Sequence, residues 1–121
     1  MQRKDVLREK SFAFAVRIVK FAGWLREERE EYILSKQVLR SGTAIGALIS
    51  EAAYGQSKAD FVARMTIALK EANETLYWIR LLHAAGLIEE QMSESLLTDA
   101  EELLALLIST VKTAKNQKFT E

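Results

Sequence analysis

No proline occurs in the 121 residues of this chain, where average usage of about 5% would place roughly six. Proline lacks a backbone donor and clashes with the turn before it, so it interrupts helices more than any other residue. A chain without it can run in long unbroken helices. The apolar spacing follows that course. Leu7, Ser11, Phe14, Ile18, Phe21 and Leu25 recur at i, i+4, i+7 and share one helix face.

The same period predicts four helices, over about residues 5–29, 32–54, 57–85 and 89–117. Leu34, Val38, Ser41, Ile45, Leu48 or Ile49, and Ala52 mark the inner face of the second, with Gly55 as its stop. Ser57 is placed to cap the third, with Asp60 near its positive end. Phe61, Met65, Ala68, Ala72, Leu76, Ile79 and His83 form its inner stripe, and Gly86 ends it. Glu89, Glu90 and Glu94 suit the start of the fourth, whose face is Leu96, Ala100, Leu103, Leu104, Leu107 and Val111. No strand pattern competes. Connections this short turn each helix back on the last, so the expected fold is all-α, a single domain over 1–121 built as an antiparallel up-down-up-down four-helix bundle.

Composition narrows the function classes. Without cysteine there is no disulfide framework, thiolate zinc site or thiol nucleophile. The first residues, MQRKDVLREKSF, carry charges where a signal peptide needs an apolar run, and no stretch approaches the roughly 18 apolar residues of a membrane span. The expectation is a soluble, cytoplasmic protein. A net formal charge of zero speaks against generic coating of nucleic acid.

Gly42 and Gly46 lie one turn apart on the second helix, with Ala53 further along the same edge. A phosphate loop would need a glycine-rich turn after a strand and a Gly-Lys-Ser/Thr ending, both missing here. Close approach of another helix is the better reading.

Three blocks in order, SKQVLRSGTAIGALISEA, QSKADF and IALKEANETLYWIRLL, resemble the four-helix-bundle family of 23S rRNA intervening-sequence proteins. The resemblance spans about residues 7 to 115. Its pattern around the second helix, RSGTSIGANI and then Glu, is matched by Arg40, Ser41, Gly42, Thr43, Ile45, Gly46, Ile49 and Glu51; a further acidic position falls on Glu74. Ala44 and Leu48 stand where the family prefers Ser and Asn. The family is similar in turn to the accessory variability determinants of diversity-generating retroelements, small bundles that form five-membered rings and associate with a reverse transcriptase and nucleic acid. The resemblance therefore implies a homo-oligomer, a pentamer by that analogy, with RNA or a nucleic-acid enzyme as partner.

The residues point to no catalytic, cofactor or metal site. Di-iron bundles need Glu-x-x-His on two helices, yet Arg80 precedes the lone His83 by three and no second histidine exists. Helical ribonucleases of the HEPN type need a wider arginine-to-histidine spacing. Glu51, Glu71 and Glu74 could form half of an acid/base or Mg²⁺ site, which leaves a hydrolase or nuclease as the alternative function. Without a nucleophile or orienting base, they read better as ion pairs.

Two surface features carry the functional reading instead. Phe12, Val16 and Val19 on the first helix, and Ile67, Trp78 and Leu81 on the third, lie off the inner stripes and form a candidate oligomer interface. Antiparallel topology also sorts charge along the axis. One end gathers Arg3, Lys4, Arg8, Lys10, Lys58, Lys112, Lys115 and Lys118 against five acidic residues, while the other sets Arg26, Arg29 and Lys36 against seven glutamates. Arg3, Lys4, Arg8, Lys10, Lys112, Lys115 and Lys118 are the candidate nucleic-acid contacts, through charge alone, since no aromatic platform interleaves with them.

Overall fold

The computed structural model describes residues 3–117, with side chains from residue 6 onward. Four helices follow one another: α1 (Arg3–Arg29), α2 (Leu34–Ala52), α3 (Lys58–Ala84) and α4 (Glu90–Asn116). Each packs on its neighbour in the chain, and α1 returns against α4 to close the bundle. The backbones of diagonal pairs stay apart among the described residues, so the four helices stand at the corners of a square. The α1–α4 seam is the most sparsely packed of the four sides.

The seam residues explain this geometry. Met65, Ala68, Ala72, Thr75, Ile79 and Leu82 are buried on α3, alternating steps of three and four. Ser93, Leu96, Ala100, Leu103, Leu107, Thr110 and Ala114 do the same on α4. Such a seam repeats every 3.5 residues rather than 3.6, as in helices that coil gently about one another. It also corrects one expectation: His83 is exposed and Leu82, fully buried, takes its place.

Large side chains such as Ile18, Leu25, Ile45, Ile79 and Leu107 interleave with Ala22, Ala52, Ala68, Ala72 and Ala100, the alternation that fills a core without voids. Several hydroxyls share it. Thr75 and Thr110 each bond the carbonyl one turn back, Glu71 and Leu106 respectively, at 2.7 Å, so these polar groups are buried without loss. Ser35, wholly buried, has a hydroxyl with no partner among the described residues.

The turns define the helix ends. Glu30 adopts the left-handed conformation at φ 53°, and the Glu31 N–H bonds back to the Leu25 carbonyl at 3.1 Å. The Glu31 carboxylate then accepts from the Ser35 N–H at 2.8 Å. α2 therefore starts at Leu34, not 32, and leaves Tyr32 and Ile33 exposed. Ser57 caps α3 as expected, its hydroxyl accepting from the Asp60 N–H at 3.1 Å. Gly86, at φ 78°, closes α3 with the Leu87 N–H on the Leu82 carbonyl at 2.9 Å and its own N–H on His83 at 3.0 Å, the paired bonds of a Schellman ending. Gly55 differs from its expected role. It is not left-handed; it supplies room, since a Cβ there would stand 2.8 Å from Asp60 Oδ2.

Because a side chain at Glu30 is strained in the left-handed region, Glu30→Gly should stabilise the protein by about 0.5–1 kcal/mol despite the greater freedom of an unfolded glycine. Urea melts with equal slopes would check this.

Candidate interaction surfaces

The glycine pair determines how α2 meets α1. A Cβ on Gly42 would come within 2.8 Å of Ile18 Cγ2, and one on Gly46 within 3.3 Å of the Ser11 carbonyl oxygen. At Gly42 the Ile18 side chain of α1 fills the space a Cβ would take, and at Gly46 the backbone of α1 itself comes up against α2. Ser41, Ile45 and Ile49 point inward from the same segment and are buried. Ser41 Oγ lies 2.9 Å from Thr75 Oγ1, a buried hydroxyl contact between α2 and α3.

Arg40 sits on the outer edge of the α2–α3 seam. Its guanidinium holds Glu71 at 2.9 Å and also Glu74, and the Trp78 indole N–H donates to Glu74 at 3.0 Å. The hydrogen bond to Glu71, the largest effect, raises the Arg40 pKa above its ordinary value. Further along, Arg64 takes Glu51 at 2.8 Å and Asp60 at 3.3 Å. Each of Glu51, Glu71 and Glu74 is thus engaged by an arginine. Chemically, this arrangement ties helix to helix, and among the described residues no three His, Asp or Glu side chains converge as a metal ligand set requires.

The α1–α4 seam is joined by surface pairs. Lys10 meets Glu102 at 2.8 Å. Arg17 meets Asp99 at 2.7 Å and also donates to the Ser95 hydroxyl at 2.7 Å and to its carbonyl at 3.2 Å. The hydrogen bond to Glu102, aided by its charge, raises the Lys10 pKa above 10.5. With a raised folded value, whatever this pair contributes is present below the unfolded pKa and is lost only as the pH climbs through the folded one.

On the outward face of α1, Phe12, Val16 and Val19 are 70%, 40% and 53% exposed. Beside them runs a groove of about 450 Å³ between α1 and α2, lined by Arg8, Ser11, Phe12, Ala15, Thr43, Gly46, Ala47 and Ser50. Its floor is low because α2 contributes only small residues. On α3, Ile67 is exposed, whereas Trp78 and Leu81 are half-buried. Trp78 is held by Glu74 and stands edge-on to Tyr77 at 5.1 Å. Ala44 and Leu48, the two departures from the family pattern, lie half-buried on α2.

At the end where α1 begins and α4 finishes, Arg8, Lys10, Lys112 and Lys115 are exposed. Lys10 belongs to the α1–α4 seam through Glu102. Lys118 and the side chains of Arg3 and Lys4 lie outside the described residues. Sequence reasoning passes over Tyr32, Ile33, Tyr54, Tyr77 and Ile108, all more than 45% exposed. The apolarity of Tyr32 and Ile33 continues the α2 pattern and hides them in it, while Tyr54 reads only as the last residue before a glycine stop.

No helix is long and apolar enough to cross a membrane among the described residues. No curated protein matches the chain. It is similar at 49% identity, with a TM-score of 0.90, to a crystal structure of a protein of unknown function from the S23 ribosomal protein family of Bacteroides thetaiotaomicron VPI-5482, over 92% of this chain and 99% of that one. The sequence model of the family described as 23S rRNA-intervening sequence protein matches residues 3–109. With that match across nearly the whole bundle, the chain belongs to the 23S rRNA-intervening sequence protein family.

Proposed function

We propose that this protein is a non-enzymatic, cytoplasmic scaffold that assembles as a homo-oligomer and associates with RNA, directly or beside a nucleic-acid-processing partner. The observation that carries the reading is the α1 stripe of Phe12, Val16 and Val19, three apolar side chains left in water at helical spacing. Apolar groups aligned in this way favour burial against another protein surface. Ile67 on α3 offers a second apolar contact, with the half-buried Trp78 and Leu81 on the same helix. Two patches on different helices suit a ring, whose interface joins unlike faces of successive copies. A pentamer is the number suggested by the resemblance to retroelement accessory proteins.

The exposed Arg8, Lys112 and Lys115 support the RNA half of the reading. Repeated around a ring, a weak cationic patch gains avidity with no addition to the contacts of each subunit. Binding should fall steeply with salt as counterions are recaptured. Labelled single-stranded RNA incubated with the protein and Mg²⁺ should be retained intact. Changing Lys112, Lys115 and Lys118 together to Gln should weaken retention and reduce the salt slope by about 0.7 for each phosphate no longer neutralised, with helical content unchanged. An unaltered slope would turn the reading toward a protein partner. Mg²⁺-dependent cleavage would favour a nuclease built on Glu51, Glu71 and Glu74.

A further inference from the structure

Tyr54 is the most exposed of the large apolar side chains among the described residues, at 79%, and it stands at the same end of the bundle as the exposed lysines of α4. Its backbone is braced. The N–H groups of Ala53, Tyr54 and Gly55 bond the carbonyls of Ile49, Glu51 and Ala52 at 3.3, 3.0 and 3.0 Å. The ring is therefore presented to solvent on a fixed turn.

Beside it lies a shallow, open depression of about 810 Å³, bordered by Glu51, Tyr54, Gln56, Ser57, Asp60 and Arg64. Arg64 bridges the two carboxylates, Glu51 at 2.8 Å and Asp60 at 3.3 Å. The walls thus offer donors and acceptors, and because the single Arg64 offsets only one of the two carboxylate charges they stay net negative. A neutral, flat group with a hydrogen-bonding edge suits them better than a phosphate would. Cations lie close by: Lys58 Nζ donates to the Gln117 carbonyl at 2.6 Å, which holds the end of α4, little more than a turn past Lys112, against the start of α3.

Resting on the RNA reading above, we propose that Tyr54 stacks on an unpaired base of single-stranded RNA whose edge lies in the open depression at the α2–α3 corner, while Lys112 and Lys115 meet phosphates further along the strand. Base–aromatic stacking accepts any base, since every base has a π-face. Gln56 and the Arg64-bridged carboxylates then set which edge is preferred. This adds to the cationic end the aromatic platform that the sequence pattern does not show.

The test is fluorescence anisotropy with a labelled oligouridylate and, separately, a duplex of the same length. Tyr54→Ala should weaken binding of the single strand by about five- to a hundred-fold, leave the salt slope as it was, and leave duplex binding unchanged because paired bases are already stacked. Tyr54→Phe and Tyr54→Trp should retain affinity. If Tyr54→Ala binds the single strand as tightly as the parent while Lys112→Gln with Lys115→Gln weakens it, the stacking proposal is overturned and the RNA reading survives. If the parent protein binds neither probe, both fall together. Circular dichroism of Tyr54→Ala should match the parent, since the side chain it removes is outside the core.

Discussion

Gly42→Leu is expected to destabilise the bundle by about 3 kcal/mol, the upper end of the usual cost of overpacking. A Cβ alone at this position would press on Ile18 at 2.8 Å, and Ile18 is wholly buried, so it has no empty rotamer to move into. Gly46→Leu should cost less, about 1–2 kcal/mol. Its obstacle is the Ser11 carbonyl at 3.3 Å, part of a helix backbone that cannot turn aside, but Gly46 also borders the α1–α2 groove, which can take the outer carbons. A milder Gly42→Ala should be rescued in part by Ile18→Val, which removes one methyl at the contact. Urea unfolding with unchanged slopes would measure all four variants. A melting midpoint unaffected by Gly42→Leu would mean that α1 does not rest on this face.

Phe12→Glu combined with Val19→Glu is expected to dissociate the proposed assembly to a 13.7 kDa species. Both side chains are more than half exposed in the single chain, so the charges should cost the isolated bundle little, within about 0.5 kcal/mol each. In an interface they would bury unpaired carboxylates, which is strongly unfavourable. The variant should keep its helical content and lose its size. It should also lose thermal stability with dilution less than the parent does, because association stabilises the folded state by mass action. Equal sedimentation of parent and variant would remove this face from the interface.

Much of the fold is legible in the sequence because each helix has a separate apolar stripe and no proline breaks it. Spacing alone places Leu7, Phe14, Ile18, Phe21 and Leu25 in the core, and all are buried. The misplacements have physical causes. A straight 3.6 period assigns His83 to the inside, whereas a seam repeating every 3.5 residues drifts across the helix surface and brings Leu82 in. Thr75 and Thr110 escape the pattern because a hydroxyl reads as polar until its bond to the preceding turn is seen. The true start of α2 depends on Glu30 entering the left-handed region, which no apolar pattern records.

The candidate surfaces are legible more unevenly. Phe12, Val16 and Val19 stand out by spacing and are exposed. Trp78 is not free in the same way, since its indole is tied to Glu74. That contact, like the grip of Arg40 on Glu71 and Glu74, depends on how far α3 is slid along α2. Loop length constrains this register only loosely. Packing of the intervening core settles it.

Light scattering coupled to size exclusion, on the parent protein at micromolar concentration, decides the scaffold reading. The expected result is one species several times heavier than the 13.7 kDa chain, about 68 kDa for five copies, whose mass holds on moderate dilution. A single species of 13.7 kDa would contradict it, leaving the α1 stripe an ordinary wet surface of a lone four-helix bundle.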